Sequence, residues 1–272
     1  MSSNDYILGR SPAETRRLVL QDQLYRPLTR RLFVSAGIGS GMKVLDVGSG
    51  AGDVALLLAE LVGPSGAVVG VDVNAEILET ARARVAATGF HNVSFFAGNA
   101  RDLELDSDFD AVAGRFVLMY QAQPAEVVRQ LVTRLRRGGV VAFHENDFSY
   151  PPTVFPPSEL SKKVLDWSVP REVPGTPELH MGTKLFKTFI EAGLPPPELQ
   201  LEAPVGGGPH WLGYEYMAET LRSLLPALQR LTGLDPAEVN IDTLAERLRN
   251  DVVARQAVQI LPMTYGAWAR KP

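Results

Sequence analysis

Short apolar segments alternate with amphipathic segments through the first half of the chain. Runs of apolar and β-branched residues predict strands over residues 44–47, 67–73, 93–96, 109–116 and 140–143. The segments between them predict helices that begin near Gly52, Ala75 and Pro124. Because each apolar run is almost continuous, we expect strands covered on both faces, as in a parallel sheet with right-handed helical crossovers.

Helices are also predicted on both sides of this alternating region. Ser11, Pro12 and Glu14 form a capping box, which predicts a helix that runs towards Tyr25 and is kinked or restarted at Pro27. After the fifth strand the chain becomes proline-rich. Its later segments predict helices over residues 160–167, 183–192, 214–231 and 241–255 and strands over residues 198–205 and 257–268. We expect the later helices to form a lid over the edge of the sheet.

The composition fits a single α/β unit and narrows its chemistry. The chain has 272 residues, of which 45% are hydrophobic and 21% are charged, as is ordinary for a globular protein. No apolar run reaches the roughly 18 residues that span a bilayer, and the first residues lack a secretion signal, so we expect a cytoplasmic protein without a membrane partner. The net charge of -4 and the lack of a basic cluster disfavour a nucleic-acid substrate. With no cysteine, this chain has no disulfide, thiolate metal site or thiol nucleophile.

A glycine-rich turn after the first strand is the most informative motif. Gly48, Gly50 and Gly52 let the backbone turn tightly and approach a ligand, although dinucleotide sites and structural turns also use such glycines. Asp46 lies at the end of the strand, where its carboxylate would repel a pyrophosphate about 5 Å away by roughly 3 kcal/mol and would attract an ammonium group. The dinucleotide fingerprint also requires a third glycine where this chain has Asp53. NAD is therefore the poorer ligand.

Two further polar residues follow the next two strands. Asp72 ends the second strand about 20 residues after the glycine turn, where a carboxylate can accept hydrogen bonds from both ribose hydroxyls. Asn99 follows the third strand, and its amide can pair with the edge of adenine. Partners for an ammonium group, a ribose and an adenine thus occur in order along the strand ends. That order matches S-adenosylmethionine.

At these residues the sequence resembles the class I S-adenosylmethionine-dependent methyltransferases, particularly the small-molecule enzymes of bacterial secondary metabolism. The resemblance covers residues 42–145 and rests on the motifs VLDVGSGAG, GVDV, GNA, FDAVAGRF and RRGGVVAF. It implies an α/β fold with a doubly wound, seven-stranded, mostly parallel sheet, Rossmann-like, whose last strand over residues 257–268 is antiparallel. The sequence departs from many relatives at Asn99, where they have Asp, but Asn still pairs with adenine.

The resemblance also implies a cofactor site and a division of the chain. The residues expected to line S-adenosylmethionine are Asp46, Gly48, Ser49, Gly50, Asp72, Val73, Asn99, Ala100 and Arg115. The N-terminal stretch resembles the cofactor-covering segment of some relatives, which suggests Tyr6, Gln23 or Tyr25 near the methionine end. We expect a helical cofactor cover over residues 1–40, an S-adenosylmethionine-binding core over residues 41–150, and a remainder over residues 151–272 that completes the sheet and carries lid insertions for substrate binding.

Two histidines are candidates for catalysis. Methyl transfer from a sulfonium needs alignment and exclusion of water more than a dedicated catalytic residue. If the acceptor is a hydroxyl, His144 after the fifth strand is a candidate base, or else a structural histidine at a strand end. His210 lies on a glycine-flanked loop beside Trp211, and it either contacts substrate or belongs to a surface turn.

Arg115 and several aromatic residues are candidates for ligand binding. Arg115 holds a carboxylate of the cofactor or substrate, or it pairs with a local acid. Residues predicted to line the acceptor pocket are Phe116, Met119, Tyr120, Trp211 and Tyr214, although such residues also form ordinary core. The histidines are widely spaced, so we expect no metal.

The leading hypothesis is O- or C-methylation of a small, partly apolar molecule. N-methylation stays open, because the cofactor motifs do not specify the acceptor atom. One alternative is an enzyme that binds S-adenosylmethionine without transferring its methyl group, as in a cyclisation, and another is a non-catalytic binding module. Release of S-adenosylhomocysteine separates these hypotheses. The expected partner is a small molecule, and a homodimer is compatible with the sequence.

Overall fold

A seven-stranded sheet forms the centre of the fold. The computed structural model describes residues 12–100, 102, 107–168 and 177–272, so Tyr6 and Ser11 lie outside the described residues. The strands of this sheet are β1 (Lys43–Val47), β2 (Ala67–Asp72), β3 (Val93–Ala97), β4 (Phe109–Arg115), β5 (Leu135–Asp147), β7 (Glu198–Glu202) and β10 (Met263–Arg270). Their order is β3-β2-β1-β4-β5-β10-β7, and only β10 pairs antiparallel with its neighbours. The predicted sheet and its antiparallel last strand are confirmed.

Helices cover both faces of this sheet. The described α-helices, of which some belong to a lid, are α1 (Pro12–Ser35), α2 (Asp53–Val62), α3 (Ala75–Thr88), α4 (Pro124–Thr133), α5 (Glu159–Ser168), α6 (Met181–Glu191), α7 (Gly213–Thr232), α8 (Pro236–Val239) and α9 (Leu244–Ala254). Side chains of α1, α2 and α3 pack on one face, and side chains of α4 and α6 pack on the other. The predicted starts of α2, α3 and α4 are confirmed to within one residue. None of the described helices is both long and apolar enough to cross a membrane.

Strand β5 shows why the apolar runs form central strands. Val141 and Phe143 point towards α4 and α6, whereas Val140 and Ala142 point towards α1 and α2, and all four side chains are fully buried. Full burial of a Val or Phe side chain contributes about 1.5–3 kcal/mol. The strand extends beyond the predicted residues 140–143, because its last residues pair with β10, which is distant in sequence.

A lid of a smaller sheet and three helices lies over the carboxyl ends of the central strands. The smaller sheet contains β6 (Thr153–Phe155), β8 (Val205–Gly206) and β9 (Val258–Ile260), in the order β6-β9-β8. Apolar side chains of α5, α7 and α9 share a buried cluster with Tyr25 and Leu28 of α1. Phe116, which directly follows β4, packs against both this cluster and the central core. The lid therefore faces the edge at which the predicted site residues lie.

Two predicted strands are wrong in extent. Residues 198–205 form β7 and β8, and residues 257–268 fall in β9 and β10, which belong to different sheets. Pro204 and Pro262 stand at the two breaks. Proline has no N–H to donate to a strand ladder, so each proline marks the point where the chain changes sheet.

Helix α1 is longer than predicted. It runs without interruption from Pro12 to Ser35 and includes Pro27, so the predicted restart is wrong, whereas the predicted kink stays a prediction. Pro27 removes one intrahelical hydrogen bond. Burial of Leu28, Leu32 and Phe33 against the lid and the sheet offsets this loss.

Candidate functional site

The glycine turn after β1 is held against the end of β2. The N–H groups of Gly48 and Ser49 both donate to the carbonyl of Val71, at 2.8 and 3.0 Å. Gly48 has a φ of 69°, and a Cβ at this position would lie 2.6 Å from Cγ2 of Val117. Position 48 therefore strongly favours glycine, both for its backbone conformation and for the close approach of Val117.

Asp46 is a buried carboxylate without a hydrogen-bond partner. It lies in β1, its side chain is fully buried, and neither carboxylate oxygen has a partner in hydrogen-bond geometry among the described residues. Burial raises the pKa of Asp46 to about 7, while the Ser49 hydroxyl and Arg115 lower it in part. Buried polar groups of folded proteins are nearly always paired, so this carboxylate is open to a cationic ligand group, and the predicted ammonium site at Asp46 stays a prediction.

Asp72 fixes the glycine turn from the next strand. Its carboxylate accepts hydrogen bonds from the N–H groups of Gly50, at 2.9 Å, and Asn74, at 2.8 Å. Binding of ribose hydroxyls by this carboxylate stays a prediction. Asp72 thus both shapes the turn and faces the same edge of the sheet as Asp46.

The residues predicted for adenine follow β2 and β3, which are neighbours in the sheet. Val73 is 57% exposed directly after β2, whereas Ala100 is buried after β3. The N–H of Gly98 donates to the carbonyl of Asp72 at 2.8 Å, which holds the turn carrying Asn99 beside the end of β2. The structure therefore brings the predicted ribose and adenine residues to adjacent strand ends.

Arg115 pairs with an acid from α1. Its guanidinium is buried, with Nη2 3.0 Å from Oδ1 of Asp22 and Nη1 donating to Oγ1 of Thr29 at 3.3 Å. From the sequence, Arg115 was expected either to hold a carboxylate of the cofactor or substrate or to pair with a local acid. The structure shows an ion pair within the protein, although the acid, Asp22, is distant in sequence. A direct role of Arg115 in cofactor binding stays a prediction.

His144 is enclosed between α1 and the residue after β4. Its Nδ1 lies 3.1 Å from Oγ1 of Thr29, and its ring stacks on that of Phe116 with a centroid distance of 5.9 Å. Burial, and secondarily the charge of Arg115, lower the pKa of His144 to about 3. A histidine that is 2% exposed and this weakly basic is poorly suited to accept a substrate proton. His210 is exposed on the loop before α7, and the catalytic roles of both histidines stay predictions.

Three aromatic side chains from different elements meet beside His144. Phe116 and Tyr25 form an edge-to-face pair with ring centroids 5.2 Å apart, and Tyr25 and Tyr216 form another at 5.9 Å. Phe116 has a φ of 57°, a left-handed conformation that is strained for a bulky side chain and that recurs at functional sites, although Asn240 and Gln256 also have positive φ. We call Tyr25, Phe116 and Tyr216 the aromatic wall.

The other predicted pocket residues lie elsewhere. Met119 is buried and Tyr120 is half-buried against the core shared with α4 and α6. Trp211 packs on Tyr214 at 5.2 Å and fills a slot beside Gly206 and Gly213, within the lid. Their binding of substrate stays a prediction.

The sequence did not indicate Asp22 or Tyr216 as site residues. Asp22 lies 93 positions from its partner Arg115, and Tyr216 lies on α7, far in sequence from the rings it meets. Only the apolar spacing of α7, which buries Tyr216 and Met217 together with Leu221, could have indicated Tyr216.

Comparison with known proteins identifies the family. The model of a methyltransferase domain matches residues 38–191. The arsenite methyltransferase of Aquipseudomonas alcaligenes is 38% identical over 120 residues, which are 41% of this chain and 35% of that protein. The ubiquinone/menaquinone biosynthesis C-methyltransferase UbiE of Pseudomonas paraeruginosa is 38% identical over 106 residues, 38% of this chain and 41% of that protein. These matches span less than half the length of each relative.

Solved structures show the same fold at low sequence identity. The YcgJ protein of Bacillus subtilis is 18% identical with a TM-score of 0.59, covering 90% of this chain and 97% of that one. The cyclase SpnF is 20% identical with a TM-score of 0.56, covering 90% of this chain and 80% of that one. At such identities the likeness establishes the fold alone. The family match over most of the central sheet, the two relatives and the strand order together show that this chain belongs to the class I S-adenosylmethionine-dependent methyltransferases.

Proposed function

We propose that the protein transfers a methyl group from S-adenosylmethionine to a small, partly apolar molecule. The acceptor atom in this proposal is carbon or oxygen, and nitrogen stays open because the cofactor motifs do not specify the acceptor atom. The observation that carries this proposal is the buried carboxylate of Asp46, which has no hydrogen-bond partner among the described residues and lies near the end of β1, while Phe116 of the aromatic wall directly follows the neighbouring parallel strand β4. A cationic ligand group at Asp46 would satisfy the orphaned carboxylate, and a reacting group next to it would face apolar rings rather than water.

The residues present fit the cofactor. Asp46 would hold its ammonium group, Asp72 its ribose hydroxyls, and Val73, Asn99 and Ala100 its adenine. Gly48, Ser49 and Gly50 would let the backbone approach it closely. When bound, the cofactor supplies a methyl group on a sulfonium. The chain's part is then to align the acceptor with that methyl group and to exclude water, for which the aromatic wall is suited.

The aromatic wall favours an acceptor with a planar or apolar body. Tyr25 and Tyr216 are buried, and with Phe116 they present ring faces and edges rather than charge. One relative acts in quinone biosynthesis as a C-methyltransferase, and a hydroxylated ring of that type fits such a wall. Arsenite, the substrate named for another relative, is a soft, thiophilic centre, and this chain offers no cysteine thiolate to bind it.

In this proposal His144 supports the site rather than removing a proton. Its neutral ring stacks on Phe116 and contacts Thr29 of α1, so it fixes one side of the aromatic wall. An acceptor that ionises readily, such as a phenol or an enol, needs no strong base from the enzyme.

The test is release of S-adenosylhomocysteine with a panel of acceptors. The purified protein is incubated with S-adenosylmethionine and either a naphthohydroquinone, a simple phenol, a primary amine or arsenite, with Asp46→Asn as the inactive control. We expect S-adenosylhomocysteine with the hydroquinone or phenol and none with arsenite. Cofactor binding without S-adenosylhomocysteine from any acceptor would contradict methyl transfer and favour a step in which the cofactor is not consumed.

A further inference from the structure

Glu145 of β5 binds three consecutive backbone amides behind the aromatic wall. Its side chain is fully buried. Oε1 accepts from the N–H of Val117 at 3.0 Å and of Leu118 at 2.8 Å, and Oε2 accepts from the N–H of Met119 at 3.3 Å. Hydrogen bonds to a carboxylate are about twice as strong as neutral ones. A single side chain therefore fixes the turn that follows β4.

This turn contacts both halves of the proposed site. On one side, Val117 packs on Gly48, where a Cβ would approach its Cγ2 to 2.6 Å. On the other side, Phe116 begins the turn, and its N–H donates to the carbonyl of His144 at 2.8 Å. The left-handed backbone of Phe116, with a φ of 57°, turns its ring towards Tyr25. Movement of the turn would thus shift the glycine loop and the aromatic wall together.

We propose that Glu145 is a positioning residue for methyl transfer, which sets the placement of the aromatic wall relative to the cofactor's glycine loop by holding the turn over residues 116–119. The carboxylate is engaged by the turn itself, so Glu145 acts through Val117 and Phe116 rather than on a ligand. The inference rests on the proposed function, because it takes Gly48 as part of the cofactor site and Phe116 as part of the acceptor site.

Asp147, two residues further along β5, is a matched control. It is also a buried carboxylate that accepts backbone N–H groups, from Ser149 at 2.8 Å and Thr183 at 2.7 Å. Those amides belong to the chain after β5 and to the first turn of α6, not to the glycine loop or the aromatic wall. The variants Glu145→Gln and Asp147→Asn therefore make the same chemical change at equivalent burial. Only Glu145→Gln alters the turn that joins the glycine loop to the aromatic wall.

The experiment measures cofactor affinity and amide exchange in both variants. S-adenosylmethionine affinity is measured by calorimetric titration, hydrogen exchange at residues 117–119 by NMR, and the folded fraction by urea denaturation. In Glu145→Gln, an NH2 group takes the place of one carboxylate oxygen. This NH2 group is a donor, so it cannot accept the backbone N–H that the oxygen accepted. We expect exchange at these amides to become about tenfold faster and cofactor binding about fivefold weaker in protein that is still folded. Asp147→Asn should leave both within about twofold of the wild type.

Unchanged exchange and affinity in folded Glu145→Gln, or equal effects of the two variants, would overturn the proposal. If Glu145→Gln does not fold, Val117→Ala removes the contact with Gly48 and leaves the carboxylate in place. It should weaken cofactor binding while the amides stay protected, and wild-type affinity in Val117→Ala would likewise refute the coupling. If the wild type binds no cofactor, the proposed function fails, whereas the exchange rates still decide whether Glu145 holds the turn.

Discussion

At the scale of single residues, we predict that Asp46 lowers the stability of the cofactor-free protein and favours binding of the cofactor. Asp46→Asn removes a buried charge that has no partner, so we expect the free energy of unfolding at pH 8 to rise by about 1 kcal/mol or more. The same change should weaken S-adenosylmethionine binding at least tenfold, or about 1.4 kcal/mol. Urea denaturation and calorimetric titration measure the two effects.

Asp108→Asn is the control for this prediction. Asp108 has a side chain that is 72% exposed and pairs with Lys43 at the opposite end of β1. Neither stability nor cofactor affinity should change appreciably, since exposed ion pairs contribute little. An Asp46→Asn variant that binds S-adenosylmethionine as tightly as the wild type would refute the assignment of Asp46 to the ammonium group.

Two glycines of the turn after β1 provide a matched pair. Gly48 and Gly50 both have left-handed backbones, with φ of 69° and 51°. A Cβ at Gly50 meets nothing within 4 Å, whereas one at Gly48 overlaps Val117. Gly50→Ala should therefore cost about 1–2 kcal/mol, from backbone strain alone. Gly48→Ala should cost a further 1–3 kcal/mol from overpacking. Equal midpoints in urea denaturation would show that Val117 moves aside freely.

The sequence predicts which polar residues lie at strand ends, but it does not predict their partners. Asp46 and Asp72 were placed correctly at the ends of β1 and β2, because apolar runs reveal strands locally. The pairing of Arg115 with Asp22, and of Glu145 with the turn after β4, joins residues 93 and 26–28 positions apart. No local sequence pattern encodes such pairs, because the two partners are brought together only by the folding of the whole chain.

At the scale of elements, regular segments were predicted and segments defined by distant pairing were not. Strands β1 to β4 follow from local apolar runs, and their bounds agree with prediction to within one residue, as do the predicted starts of helices α2 to α4. Strands β6 and β8 contain three and two residues, too few to show any periodicity. They exist because both pair with β9. The smaller sheet was therefore missed, although the helical lid around it was expected.

Helix α1 is fastened to the central sheet by a buried ion pair. Asp22 bonds Arg115, whose side chain is 3% exposed, and Asp22→Asn would leave that guanidinium without its carboxylate. Breaking a buried pair on one side costs about 3–5 kcal/mol, and the remaining bond to Thr29 should keep the loss near the lower end. We also expect faster hydrogen exchange along α1. Urea denaturation and exchange measured by mass spectrometry test both effects.

A second ion pair on α1 supplies the comparison. Arg31 pairs with Glu202 of β7, but its side chain is 55% exposed. Glu202→Gln should cost less than about 1 kcal/mol and leave exchange along α1 unchanged. If the two variants lose equal stability, the Asp22–Arg115 pair does not fasten the helix.

At the scale of the whole molecule, buried ionisable groups make stability depend on pH. Burial raises the pKa of both Asp46 and Glu145 to about 7, from an unfolded value of about 4. Between these values the folded state holds two protons that the unfolded state has released, so the free energy of unfolding falls as pH rises towards 7 and beyond. Asp53, whose pKa is also raised by burial, acts in the same direction.

His144 opposes this trend over part of the range. Its pKa falls to about 3 in the folded protein, against about 6.5 when unfolded. The unfolded state therefore gains a proton below pH 6.5, and this contribution to stability is lost as pH falls. At pH 6 the two carboxyl groups lower the free energy of unfolding as pH rises, and one partly titrated histidine raises it. The effect of the two carboxyl groups is larger, so the free energy of unfolding falls.

We therefore expect the free energy of unfolding of the cofactor-free protein to fall by about 2 kcal/mol between pH 6 and pH 8. Asp46→Asn removes one of the two carboxyl groups. The free energy of unfolding of this variant should therefore fall by only about 0.5 kcal/mol between pH 6 and pH 8. Urea denaturation at fixed ionic strength in both buffers measures the difference, and Asp108→Asn should follow the wild type. Identical pH dependence in the wild type and Asp46→Asn would mean that Asp46 is ionised throughout this range. A counter-charge inside the protein would then have to stabilise it, and the carboxylate of Asp46 could no longer support the proposal that this edge of the sheet binds a cationic ligand group.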